Sequence, residues 1–117
     1  MSPEIEVKGI DLLNELEKGE ANGLLEDGFK KLKRKLKESS RLKVHIKVYS
    51  PEGNRRKFSI NFELFFASSH LEASVAEWDF SKAIHNGFEK LGNQIEHKFH
   101  ISDQKNEPFK KRFPKTN

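Results

Sequence analysis

The 117-residue chain contains no cysteine, which excludes disulfides, thiolate nucleophiles and zinc sites built from cysteine. No window approaches the roughly 18 consecutive apolar residues that a membrane-spanning helix needs. The first four residues lack the basic stretch followed by an apolar stretch that opens a secretory signal. The seven glycines are scattered and form no phosphate-binding loop. We therefore expect a cytoplasmic protein with no membrane partner, no small-molecule substrate and no cofactor.

Apolar and charged residues each make up 34% of the chain, so the buried core must be small. Domains typically have about 100–200 residues, and a core of this size fits one layer of helices on one sheet. Residues 102–117 combine proline and charge with no periodicity, which predicts a disordered basic tail. We expect a single domain over residues 1–101 followed by this tail. The sequence does not fix the oligomeric state, although we favour a monomer.

Charge is strongly segregated along the chain. Residues 1–27 carry a formal charge of −6, residues 28–57 carry +10, residues 58–104 carry −4 and residues 105–117 carry +4. A cluster such as 28–57 creates a local field that attracts polyanions, above all the phosphates of nucleic acids. The alternative interpretation is a solvated helix face whose lysines only maintain solubility.

The first part of the chain predicts a short strand and then a basic helix. Residues 5–8 alternate apolar and polar side chains, as a strand does. Residues 11–23 are predicted to be a connection, because Gly19 and Gly23 are poor residues for a helix interior. From 24 to 37, apolar residues spaced by four, three and four lie on one stripe of a helix. They are Leu25, Phe29, Leu32 and Leu36. The basic residues of this segment then point away from the core.

Three strands and a second helix are predicted to follow. The hydrophobic period becomes two over residues 42–48, 58–66 and 71–75, with turn residues at 50–54 and 67–69. Asp79 can cap a helix that continues to Phe99 or His100. The order β-α-β-β-β-α predicts an α+β two-layer sandwich. Its two helices pack on one face of a four-stranded, mostly antiparallel sheet.

The second helix resembles the last helix of the ribosome hibernation promoting factor and ribosome-associated protein Y family. In that family an acidic residue opens this helix, an Ala-Ile pair follows, and a Lys-Leu pair precedes a glutamine. The corresponding residues here are Asp79, Ala83-Ile84, Lys90-Leu91 and Gln94. The resemblance covers roughly residues 4–100. It departs at His85, where the family usually has aspartate, and in a longer connection before the first helix.

The resemblance implies a short member of this family. Such proteins bind the small ribosomal subunit near the decoding channel, cover the sites that messenger and transfer RNA need, and silence ribosomes under stress. It also implies a binding protein without enzymatic activity. The order of the elements alone leaves a general double-stranded RNA-binding module open. A protein interaction domain that uses the open face of the sheet is a further alternative.

Twelve basic residues are predicted to contact ribosomal RNA by neutralising its backbone phosphates. Five lie on the first helix, two begin the next strand, three mark the end of the hairpin, and two lie on the second helix, where Lys90 is favoured by the resemblance. They are Lys30, Lys31, Arg34, Lys35, Lys37, Arg41, Lys43, Arg55, Arg56, Lys57, Lys82 and Lys90.

Other chemical sites have little support from the sequence. His97 and His100 lie one helical turn apart, but a helix end makes a poor metal site, so we predict no bound metal. Ser69 and His70 lack a third residue to orient a base, which argues against nucleophilic catalysis. Three aromatic residues are of the type that stacks on bases, but we predict that they pack in the fold. They are Tyr49, Phe65 and Trp78, with Trp78 wedged under the second helix.

Overall fold

The computed structural model describes residues 4–53, 55–67 and 69–106. It contains strands β1 (Ile5–Lys8), β2 (Ser40–Glu52), β3 (Arg55–Phe66) and β4 (Ser69–Glu77). Helix α1 (Glu15–Leu36) follows a single 3-10 turn (Ile10–Leu12), and helix α2 (Phe80–Asn106) follows β4. The predicted α+β fold, with the order β-α-β-β-β-α, is confirmed.

The four strands form one sheet in the order β1-β2-β3-β4. β1 runs parallel to β2, because α1 crosses over between them, and the other two pairs are antiparallel. β2 and β3 pair from Ser40 with Phe66 to Tyr49 with Lys57, and the register shifts between Tyr49 and Glu52. The 13 residues of β2 extend over roughly 40 Å at about 3.3 Å per residue. One end of the domain lies at the turn of this long hairpin, and the other lies where Ser40 pairs with Phe66.

Both helices cover the same face of the sheet, which carries the apolar half of each alternating strand. Phe62 and Leu64 of β3 are fully buried there. The ring of Phe62 packs edge-on against that of Phe88 in α2, with centroids 5.4 Å apart. Gly28 of α1 and Gly87 of α2 leave the space that these two rings occupy. A Cβ atom at Gly28 would lie 2.4 Å from the Phe88 ring, and one at Gly87 would lie 2.0 Å from the Phe62 ring.

Helix α1 begins earlier than the sequence predicts. The segment 11–23 is not a simple connection, because α1 starts at Glu15 and continues through both Gly19 and Gly23. Asn14 and Glu17 form a capping box: each side chain accepts the backbone N–H of the other, at 2.8 and 3.0 Å. The buried Ala21 extends the apolar stripe toward the N-terminus. These contacts outweigh the cost of about 1 kcal/mol for each glycine.

A substitution at the N-cap tests directly whether α1 begins at Glu15. Replacing the capping residue in Asn14→Ala should lower the free energy of unfolding by about 1 kcal/mol, because the Glu17 backbone N–H loses its acceptor. Asn14→Ser, which keeps an acceptor oxygen, should restore most of that loss. Urea denaturation followed by circular dichroism measures both variants. Equal stability of Asn14→Ala and the unmodified protein would contradict the assigned cap.

Helix α2 begins as predicted and ends later. The Asp79 carboxylate accepts the backbone N–H of Lys82 at 3.0 Å, which confirms the predicted cap. The helix continues to Asn106, so the first residues of the predicted tail, 102–106, are helical. Residues 107–117 of that tail lie outside the described residues. Within the described part of the chain, neither helix is long and apolar enough to cross a membrane.

Candidate nucleic-acid interface

Helix α1 has an acidic N-terminal half and a basic C-terminal half. Residues 28–37 contain six basic residues and no acidic one, whereas residues 15–27 contain five acidic residues and one lysine. The buried stripe that includes Phe29 and Leu32 faces the sheet, so the predicted contact residues of this helix lie on its exposed side. We call these residues the basic face: Lys30, Lys31, Arg34, Lys35 and Lys37. The negative end of the helix dipole stabilises cations in this last part of α1.

Two cations of the basic half of α1 form ion pairs with other described residues. The Lys33 ammonium lies 3.0 Å from the Glu4 carboxylate, which fixes α1 to the residue before β1. Lys35 pairs with Glu96 of α2. Among the described residues, the other four members of the basic face form no ion pair. Lys30, Lys31, Arg34 and Lys37 therefore present charge that is not neutralised by this part of the chain.

The His85 side chain lies beside the basic face. A cleft between α1 and α2 is lined on the α1 side by Lys31 and Lys35, and on the α2 side by His85, Glu89 and residues around them. An aspartate at position 85 would place one more carboxylate in this cleft. Histidine adds no carboxylate, so the positive potential along this side of α1 is higher than it would be with aspartate at this position.

The predicted basic cluster at the hairpin lies at the other end of the domain. Arg56 there is bound internally. Its Nη1 lies 2.9 Å from the Glu17 carboxylate, and its Nη2 donates to the Leu12 carbonyl oxygen at 3.2 Å. These contacts join the hairpin to the acidic half of α1. The basic half of α1 therefore lies at the opposite end of the sheet from Arg55, Arg56 and Lys57.

The contacts of Arg56 predict a role in stability rather than in binding. Arg56→Gln should lower the free energy of unfolding by about 1–2 kcal/mol, because the Glu17 side chain, only 14% exposed, loses a charged partner. The same variant should bind RNA as the unmodified protein does. Chemical denaturation and an RNA-binding assay on one preparation measure both effects. Unchanged stability with weakened binding would contradict this assignment.

The predicted contacts Arg41 and Lys43 lie on the open face of the sheet, the face that points away from the helices. Lys43 is flanked in register by two glutamates, Glu6 on β1 and Glu63 on β3. Farther across this face, His70 Nε2 lies 3.4 Å from the Glu63 carboxylate and 3.6 Å from that of Glu72. The middle of the open face therefore has mixed charge, and its potential is less favourable for phosphates than that of α1.

The two predicted contacts on α2 have different surroundings. The Lys90 ammonium donates to the Ser74 carbonyl oxygen at 2.9 Å, and Gln94 donates to the Glu72 carbonyl oxygen at 2.8 Å. These side chains cover the outer edge of β4 and protect it from pairing with another strand. Lys82 is exposed in the first turn of α2, at the hairpin end of the domain.

The prediction that Tyr49 and Trp78 are packed in the fold is wrong. Tyr49 is 51% exposed and Trp78 is 44% exposed. The alternation of β4 explains the position of Trp78, since Ser74 and Ala76 face outward and the next residue in that series is 78. Phe65 is half-buried on the open face, where its ring stacks on His70 with centroids 4.6 Å apart. Continuing the two-residue period of β4 beyond Glu77 would have predicted from the sequence that Trp78 is exposed.

Comparisons with known proteins identify the fold. No protein-family model matches the sequence, and no curated protein matches it. The structure is similar to the crystal structure of the Thermus thermophilus Protein Y N-terminal domain, with a TM-score of 0.58 and 12% sequence identity. The match covers 83% of this chain and 98% of the Thermus chain. The domain is therefore an α+β sandwich with a basic helix on its outer surface. Its fold is that of the Protein Y N-terminal domain, as the resemblance of the second helix predicted.

Proposed function

We propose that this protein is a non-catalytic, ribosome-associated translation inhibitor that binds RNA of the small ribosomal subunit near the decoding channel. In this position it would occupy sites that messenger and transfer RNA need, as the family that the sequence resembles does under stress. The observation that carries the proposal is the basic face of α1. Four of its five cations have no ion-pair partner among the described residues, in a domain with the Protein Y fold.

The geometry of α1 explains how such binding would work. Lys30 and Arg34 are spaced by four residues and form a ridge on the surface of α1, and Lys37 follows at the C-cap, so the three cations extend over about 10 Å. Cations in such a ridge neutralise backbone phosphates and release their counterions, without reading base edges. Shape then sets the fit to a folded RNA. The acidic half of the same helix is repelled by phosphates, which gives the bound protein one orientation.

Co-sedimentation across a salt series tests this proposal. The purified protein should pellet saturably with small subunits and with intact ribosomes. Four phosphate contacts predict an affinity that falls about 100-fold between roughly 50 and 200 mM salt. Absence of pelleting with small subunits at low salt would contradict the proposal. Equal affinity for free duplex RNA would indicate a general double-stranded RNA-binding module, and binding that is insensitive to salt would indicate a protein contact through the open face.

A further inference from the structure

The hairpin end of the open face carries aromatic and cationic side chains side by side. Tyr49 of β2 pairs in register with Lys57 of β3, and Trp78 follows directly after the last paired residue of β4. The Arg55 guanidinium carbon lies 4.1 Å from the centre of the Trp78 ring, and the Lys57 ammonium lies 5.3 Å from it. We call Tyr49, Arg55, Lys57 and Trp78 the hairpin patch.

The hairpin patch is unusual for side chains of this size because it remains open to solvent. Nearly half of the Trp78 surface and half of the Tyr49 surface are accessible, although large aromatic rings are normally buried for the free energy that this provides. The Arg55 guanidinium covers part of the indole, as cation–π pairs do. The two aromatic residues therefore flank a pair of cations on one exposed surface.

We propose that the hairpin patch binds an unpaired nucleobase of single-stranded RNA. A base can stack on the free surface of the indole or on the guanidinium plane of Arg55. Lys57 and Arg55 then neutralise the phosphates on either side of that base. Exposed aromatic rings with interleaved cations on a sheet surface are the combination that single-strand binding requires. A cluster of cations without aromatic rings would bind only the phosphate backbone of the RNA.

This site is separate from the basic face of α1 and adds a second kind of contact to the proposed function. The basic half of α1 lies at one end of the roughly 40 Å hairpin, and the hairpin patch lies at the other. The basic face suits the phosphates of folded RNA, whereas the hairpin patch suits an unstacked base. The protein would therefore contact folded RNA and a neighbouring single strand at the same time. The inference does not depend on ribosome binding, because free oligonucleotides test it.

The chain contains one tryptophan, so its fluorescence reports on Trp78 alone. A single-stranded RNA octamer should quench this fluorescence saturably, because a stacked base contacts the indole. A duplex of the same sequence and phosphate concentration should quench it far less, since its bases are already stacked. Absence of quenching by the octamer at concentrations that saturate its binding would overturn the proposal.

Variants separate stacking from simple charge attraction. Trp78→Ala should weaken binding of an end-labelled octamer by about fivefold or more, and Trp78→Phe should restore most of the affinity. Leu16→Ala, at an apolar residue that is 73% exposed on α1, is the matched control and should bind normally. Lys30→Glu with Arg34→Glu should retain saturable quenching, which separates this site from the proposed ribosome interface. Unchanged octamer affinity in Trp78→Ala would assign Trp78 to packing under Arg55 and overturn the proposal.

Discussion

Charge reversal in Lys30→Glu with Arg34→Glu is expected to abolish association with the small ribosomal subunit while leaving the fold intact. Both side chains are exposed on the outer ridge of α1 and form no ion pair among the described residues, so the folded state loses no internal contact. Each lost phosphate contact weakens binding about fivefold near physiological salt, and the introduced carboxylates add repulsion. The combined loss should be about 30-fold or more. Co-sedimentation with isolated small subunits measures it.

The matched control is Lys8→Glu with Lys47→Glu. These lysines are also exposed but lie on the open face of the sheet, and their reversal changes the net charge by the same amount. If general charge attraction governs binding, both double variants will lose affinity equally. If the open face is the interface, only the control will lose it. Either result would remove the basic face of α1 from the binding mechanism.

Gly87→Ala is expected to lower the free energy of unfolding by about 1–2 kcal/mol. An added Cβ atom would lie 2.0 Å from the Phe62 ring, which is fully buried and packed against Phe88. The side chain cannot move away without opening the contact between α2 and β3. Overpacking of this kind costs about 2–3 kcal/mol, which exceeds the gain of about 1 kcal/mol that alanine offers in a helix. Thermal denaturation should show a melting temperature lower by several degrees.

Gly19→Ala is the control for this prediction, because it makes the same chemical change in the other helix. A Cβ atom at Gly19 meets no described atom within 4 Å apart from its own helix backbone. This variant should stabilise the protein by about 0.5–1 kcal/mol through helix propensity. A Gly87→Ala protein that is as stable as the unmodified one would show that the packing of α2 on Phe62 is looser than described.

The sequence predicts the fold well where burial repeats regularly. The alternation in β2, β3 and β4 requires one apolar face for each strand, and the stripe through Phe29 and Leu32 requires a helix. The start of α1 could not be placed in the same way. Gly19 and Gly23 indicate a break, whereas Asn14 followed three residues later by Glu17 has the spacing of a capping box and was the available sequence signal that the helix begins before them.

The candidate site is less predictable than the fold, because charge clusters in sequence do not specify which cations find partners in space. The pairing of Arg56 with Glu17 joins residues 39 positions apart in the sequence. Lys90 is held by a carbonyl of β4, and Lys35 by Glu96 of α2. These contacts depend on how the layers pack. The contribution of all twelve predicted residues to RNA binding stays a prediction. The structure shows that three of them, Lys35, Arg56 and Lys90, already have partners within the protein.

Directed hydroxyl-radical probing tests most directly whether the basic half of α1 binds RNA of the small subunit. Because the chain has no cysteine, the probe can be attached to one introduced thiol alone. An iron chelate would be attached to a single introduced thiol in Glu38→Cys, beside the basic face, or in Leu16→Cys, on the acidic half of α1. Both positions are exposed. We expect the probe at position 38 to cleave RNA of the small subunit strongly at a defined location, and the probe at position 16 not to cleave at that location. Equal cleavage of that location from position 16, or no cleavage from position 38, would contradict binding through the basic half of α1.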